Sequence, residues 1–192
     1  MAISLSKGGN VSLTKEAPNL RVARVGLGWD VRTTAGAEFD LDASALLLAA
    51  TGKVRNEKDF VFYGALRHPS EAVIHQGDNR TGDGDGDDEV ILIDLPSVEV
   101  DVEKIVISVS IYDADARRQS FGQVRNAYIR LVDETTGVEV VRYDLTEEAG
   151  NETALNFAEL YRHNGEWKFR AVGQGYSTGL AGLATDFGVP IG

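Results

Sequence analysis

The segment from Gly77 to Glu89 reads GDNRTGDGDGDDE. It places Asp78, Asp83, Asp85, Asp87, Asp88 and Glu89 within twelve positions, offset by Arg80 alone. Glycines alternate with these acids at Gly82, Gly84 and Gly86. Glycine lets a backbone curl through positive φ, so that carboxylates and carbonyls can turn toward one centre. Strand-like sequence on both sides pins the ends of the loop, and its charges repel one another unless a cation sits among them. Hard divalent cations take roughly six to eight oxygens, which carboxylates, the Asn79 amide and main-chain carbonyls can supply. The competing reading is a solvated, turn-rich loop. With no Cys and only His68, His75 and His163, the chain is poorly equipped for zinc, copper or iron. Calcium, magnesium and manganese remain, and calcium's tolerance of irregular geometry suits a Gly-rich loop best. Asp83, Asp85, Asp87 and Asp94 have EF-hand spacing, but Asp88 stands where that loop needs Gly, and VILIDL reads as strand where a helix should begin. A phosphate-cradling loop is excluded, because no Lys follows the glycines and the segment is itself anionic.

A second acidic element is Phe39-Asp40-Leu41-Asp42-Ala43-Ser44. In a strand, Asp40 and Asp42 share one face. Two like charges at the mouth of an apolar strand are costly without a counter-ion, although a solvated strand end is the plainer reading. Asp30, just after a Gly-rich strand, is of the same kind. Asp40, Asp42 and Asp30 are therefore expected to complete the coordination begun by Asp78 to Glu89. Clustered carboxylates could also hold two cations for in-line displacement, so a divalent-metal-dependent hydrolase or phosphotransferase is the alternative function. His75 is the nearest candidate base, but a lone His in a loop is expected at the surface. His163 is expected to be exposed in a hairpin.

The elements that position these residues are mainly strands. Val25, Leu27 and Trp29 alternate with Gly26 and Gly28, which predicts a strand with one bare face. Strands are also predicted at residues 43–50, 59–63, 90–95, 105–112, 126–132 and 138–145, with SVEVDVEK (97–104) as a half-exposed strand. Asn164-Gly165 between two alternating runs marks a hairpin over residues 161–169. Helical spacing of Ala154, Leu155, Phe157 and Ala158, with Asn151 as N-cap, predicts a helix, and residues 179–187 a last short one. Trp29, Trp167, Phe60, Phe62 and Phe157 are assigned to the core, and Arg117-Arg118 to a loop with local ion pairs. The fold class is mainly β, a two-sheet β-sandwich with a few short peripheral helices, forming a single domain over residues 1–192.

Composition narrows the classes. In 192 residues, 43% are apolar, which argues against disorder, and the absence of Cys excludes a disulfide framework. A net charge of −11 disfavours nucleic acid and anionic lipid as partners. The start of the chain does not read as a signal peptide, and the longest apolar run, residues 45–50, is far short of a membrane helix. A soluble cytoplasmic protein without direct membrane insertion is expected.

These residues carry a family likeness. The chain resembles the tellurium-resistance TerD family of bacterial stress proteins over nearly its whole length. The likeness rests on Gly28-Trp29-Asp30 followed by residues 39–44, and on Gly77-Asp78-Asn79, Thr81-Gly82, Gly84 and Gly86-Asp87-Asp88-Glu89. It also includes residues 159–162 and 165–169. The resemblance implies a two-sheet β-sandwich that binds calcium through loops at one end, as two ions close together. The implied ligands are Asp30, Asp40, Asp42, Asp78, Asn79, Asp87, Asp88 and Glu89, with carbonyls from Gly82 and Gly84; Asp83 and Asp85 stand where the family pattern varies. It further implies a role in resistance to tellurium oxyanions and other stresses. The leading expectation for the function is a non-enzymatic calcium-binding module that presents a metal-dependent surface to partner proteins. The implied partners are other stress-resistance proteins in assemblies at the inner face of the membrane. Direct sequestration of the oxyanion is disfavoured by the net charge and by the lack of a thiol.

Overall fold

A computed structural model describes residues 2–30, 35–77, 86–145 and 150–190. In chain order the elements are β1 (Ile3–Leu5), β2 (Asn10–Ser12), α1 (Leu13–Glu16), β3 (Val22–Gly28), β4 (Leu41–Leu48), β5 (Phe60–Val61), β6 (Val73–His75), β7 (Glu89–Asp94), β8 (Lys104–Ile111), α2 (Ala114–Arg117), β9 (Tyr128–Asp133), β10 (Glu139–Asp144), β11 (Ala154–His163), β12 (Glu166–Tyr176) and α3 (Gly179–Asp186). They form two six-stranded sheets, ordered β1-β10-β9-β3-β7-β6 and β2-β12-β11-β8-β4-β5. All pairings are antiparallel except β1 with β10. All four edge strands are short: β1, β6 and β2 have three residues each and β5 has two.

Strand alternation explains the layers. In β4, Leu41, Ala43, Ala45 and Leu47 face the core between the sheets, where Ile105, Ile107, Val109 and Ile111 of β8 meet Val25, Leu27, Ile91, Ile93, Ile129 and Leu131. Leu46 and Leu48 face outward and are covered by Leu183 and Ala184 of α3, together with Val106 and Ala154. Between β11 and β12, Asn164 and Gly165 both take positive φ, 50° and 78°, as a two-residue hairpin turn requires.

Four expectations are corrected. The segment ETALNFAEL is strand β11, not a helix. A β-bulge between Asn156 and Ala158 shifts the alternation, so that Leu155, Phe157, Ala158 and Leu160 all reach the core. The bulge thus imitates helical spacing. SVEVDVEK is the connection from β7 in one sheet to β8 in the other, opening with a single helical turn at Leu95–Ser97. Val98 and Val102 plug the core while Val100 is exposed, and Arg162 donates to the carbonyls of Val98, Glu99 and Val102. Of the aromatic residues assigned to the core, Trp29 and Phe157 are buried, whereas Phe60, Phe62 and Trp167 are half-buried. Only Phe60 and Val61 of residues 59–63 form strand.

Asp59 anchors the edge near β5. It is fully buried, receives Arg55 Nε at 2.9 Å and Nη2 at 2.8 Å, and lies 2.8 Å from His68 Nε2. Burial pushes its carboxyl up, but hydrogen bonds from Arg55 and His68 outweigh that and hold it below the ordinary carboxylate range. A carboxylate lowered in the folded state stabilises fully above its unfolded value of about 4, and the benefit is lost as pH falls through the folded value. Asp59→Ala is expected to cost about 3 kcal/mol at neutral pH, because Arg55 loses its buried partner. Urea unfolding should show this difference at pH 7 and a smaller one as pH falls through the carboxyl's lowered folded-state value.

Candidate metal centre

The ends of β3, β6 and β8 and the starts of β4, β7, β9 and β11 meet at one pole of the sandwich. The acidic loop belongs to this pole, where it joins β6 to β7. Asp78, Asn79, Gly82, Asp83 and Gly84 of the expected site lie outside the described residues.

The flanks of the loop show how the sequence builds the pole. Glu89 opens β7 in the first sheet and is 1% exposed. Its Oε2 accepts a hydrogen bond at 2.5 Å from the N–H of Ala43, in the second sheet. The short β5 pairs only with Ala45 and Leu46, so it leaves the edge of β4 open at Ala43. His75 Nε2 lies 3.3 Å from the same carboxylate oxygen. His75 Nδ1 accepts from the Gly77 N–H at 3.0 Å. The expectation of a surface His75 is therefore overturned: it is 2% exposed, because β6 turns it inward beside Glu89. His163 is exposed, as expected.

Asp88 Oδ2 accepts from the Trp29 N–H at 2.9 Å, and the Asp88 N–H donates to Leu27 O at 2.8 Å. Asp88 is thereby placed against the end of β3, directly before Asp30. Asp30 is exposed; its Oδ2 accepts from Asn126 Nδ2 at 2.6 Å. Asp40 and Asp42 are each 5% exposed and share the face of β4 opposite to Ala43. The Asp40 carbonyl accepts from the Tyr112 N–H at 2.8 Å, and Asp42 stands opposite Ser110. Gln119 Nε2 donates to Ala37 O at 2.7 Å and Glu38 O at 3.2 Å, holding the approach to Asp40. Arg117 joins it at Glu38 O and stacks over Tyr112, so this basic spot works through a carbonyl and a ring where ion pairs were expected.

Asp87 is held differently. Its Oδ1 accepts from Tyr128 Oη at 2.9 Å and Arg130 Nε at 2.8 Å. The bare face predicted for β3 is what admits it. Gly26 and Gly28 stand opposite Arg130 and Tyr128 in the sheet, and a Cβ on Gly26 would lie 2.1 Å from Asp87 Oδ2. Burial first, and then the Asp87 carboxylate, push the Tyr128 phenol well above its ordinary value. Among the described residues, Asp87 Oδ2 is buried and accepts no hydrogen bond, and the same holds for Glu38 Oε2.

The structure thus brings Asp30 and Asp88 together at Trp29, and Glu89 to Asp42's neighbour Ala43, while Asp87 leans across β3 toward Arg130. Among the described residues, no three His, Asp or Glu side chains form a closed ligand set. Sequence reasoning missed Glu38, Tyr128, Arg130, Asn126 and Gln119. The signal for two of them was present: bulky Tyr128 and Arg130 repeat with the same two-residue period as the glycines they cover.

The donors here are hard oxygens, in keeping with the motifs, and comparison with known proteins decides the family. The TerD domain matches residues 1–187. The chain belongs to the TerD family. It is 61% identical over 189 residues to a tellurium resistance protein TerD of Serratia marcescens, covering 98% of each chain. It is 51% identical over 193 residues to general stress protein 16U of Bacillus subtilis (strain 168), covering all of both. A crystal structure of a homologue of telluride resistance protein (TerD) from Streptomyces coelicolor A3(2) superposes with a TM-score of 0.71 at 24% identity, over 86% of this chain and 96% of that one, and shows the same fold. The TerD family is one of tellurium-resistance and stress-response proteins, and these names describe no enzymatic activity. No helix among the described residues is long and apolar enough to cross a membrane.

Gly26→Ala is expected to expel the Asp87 carboxylate and cost about 1–3 kcal/mol, as an overpacked contact does. The measurement is the urea midpoint; an unchanged midpoint would show that Asp87 is not seated over Gly26.

Proposed function

We propose that this TerD-family protein is a calcium-binding module of the stress response. In this reading it acts without catalysis, presenting a metal-dependent surface to other stress-resistance proteins. The observation that carries the reading is the pair of buried carboxylate oxygens without hydrogen bonds, Asp87 Oδ2 and Glu38 Oε2, at the pole where Asp40, Asp42 and Glu89 are also buried. Burying carboxylate oxygens unsatisfied is costly, and a hard cation offsets that cost. The residues fit such an ion by chemistry: every candidate donor is oxygen.

Asp30, Asp40, Asp42, Asp87, Asp88 and Glu89 would hold the metal together with Asp78, Asn79, Asp83 and the carbonyls of Gly82 and Gly84, as two calcium ions. The ions supply positive charge that lets the acidic loop close on itself. The protein's own residues fix both its ends, one where the Gly77 N–H donates to His75 and the other through Asp88 at Trp29 and Glu89 at Ala43. Such a module belongs in the cytoplasm, peripheral to the inner membrane through its partners.

Calorimetric titration of chelator-treated protein with calcium should give about two ions per chain. At a hundredfold excess over the dissociation constant, binding adds about 2.7 kcal/mol, which raises the thermal midpoint by about 5–10 °C, reversed by chelator. Asp40→Ala combined with Asp42→Ala should weaken binding about tenfold or more. Absence of heat and of any midpoint shift at saturating calcium would sink the proposal. Turnover of phosphoester or ester substrates with calcium, magnesium or manganese would favour a hydrolase in its place.

A further inference from the structure

At the pole opposite the acidic loop lies a groove of about 280 Å³. Leu13, Leu20, Leu95 and Pro96 form its apolar side, and Thr14 and Arg162, beside Trp167, contribute its polar lining. The guanidinium stacks over the Trp167 ring, 4.6 Å from the centroid. Arg162 Nε donates to Val102 O at 2.9 Å, and Nη2 to Val98 O at 3.0 Å and Glu99 O at 3.1 Å. Nη1 makes no hydrogen bond among the described residues, and no carboxylate there lies within ion-pair distance of this guanidinium. In a chain with 30 acidic residues against 19 basic ones, a half-buried cation held only by carbonyls and a ring is out of place unless its counter-ion arrives from outside. Glu99, whose carbonyl Arg162 holds, gives its carboxylate Oε1 to Arg55.

The geometry points to a binding site for a small organic monocarboxylate with an apolar or aromatic body. A guanidinium already fixed by its other nitrogens offers a pre-oriented donor to a carboxylate. One cation balances one negative charge, and the surrounding Leu and Pro side chains would leave a second charge of a phosphate dianion uncompensated. The ring of Trp167 and the three leucines take the body of the ligand. The volume suits a ligand of about ten heavy atoms. The protein's net negative charge does not forbid this. Arg162 lies eight residues along β11 from the acidic pole, about 27 Å in a strand, several times the Debye length of about 8 Å at physiological salt.

The test follows the two Trp indole signals of isotope-labelled full-length protein by NMR, with Trp167→Phe assigning them. Phenylacetate is the probe and phenylacetamide its neutral match. Phenylacetate should shift the Trp167 signal saturably and leave Trp29 unmoved, with a dissociation constant on the order of a millimolar. Phenylacetamide should bind about tenfold more weakly or worse. Arg162→Gln should abolish the preference for the acid over the amide. Ala17→Leu, which fills the groove without touching Arg162, should abolish binding of both and keeps the test alive if Arg162→Gln fails to fold. Equal shifts from acid and amide, a shift that never saturates, or full binding by Ala17→Leu would each overturn the assignment.

Discussion

One carboxylate joins the two sheets at the acidic pole. Glu89 belongs to the first sheet, yet its oxygen takes the N–H of Ala43 from the second, at a point where the two-residue β5 leaves the edge of β4 uncovered. An ionised group in the dry interior is tolerated only where hydrogen bonds and nearby charge compensate its lost hydration. The main chain of β4 supplies part of that compensation. The position of the acidic loop depends on this arrangement, because the loop runs into Glu89 on one side and leaves His75 on the other. A displacement of Glu89 would open the seam between the sheets and release both ends of the loop.

The protein disposes of its other buried acids in contrasting ways. Asp59 is matched by a guanidinium and an imidazole and is chemically finished. Asp87 is half finished, with one oxygen held by Tyr128 and Arg130 and the other bare over Gly26. Asp40 and Asp42 crowd one face of a single strand. Arg162 is the reverse case at the other pole, a cation in want of an acid.

Much of the fold is legible in the sequence, because half-buried strands alternate and hairpin turns need particular residues. The GLG bareness of β3, the apolar run of β4, the Asn164-Gly165 turn and α3 all follow from local chemistry. Two failures have a common physical cause. Periodicity assumes an uninterrupted element, so the bulge at residues 156–158 read as a helix, and alternating valines that plug a crossover between sheets read as a strand. The short strands β1, β2 and β6 carry too few residues to show a period. At the site, residue types pointed to the acids themselves, whereas Arg130, Tyr128 and Gln119 are brought in from distant elements by tertiary pairing. His75 was misplaced because its burial is decided by the partner strand β7, which its own neighbours do not reveal.

The four short sheet edges have a consequence for how this protein meets others. A strand from another chain would meet an edge strand of only two or three residues at each border of either sheet. Such short edges offer few hydrogen bonds in register and so hinder the merging of sheets into fibres. The protein gains some resistance to self-association from this trimming. It also restricts its contacts to loops and sheet faces, where recognition depends on side-chain chemistry and can be switched by what those loops bind.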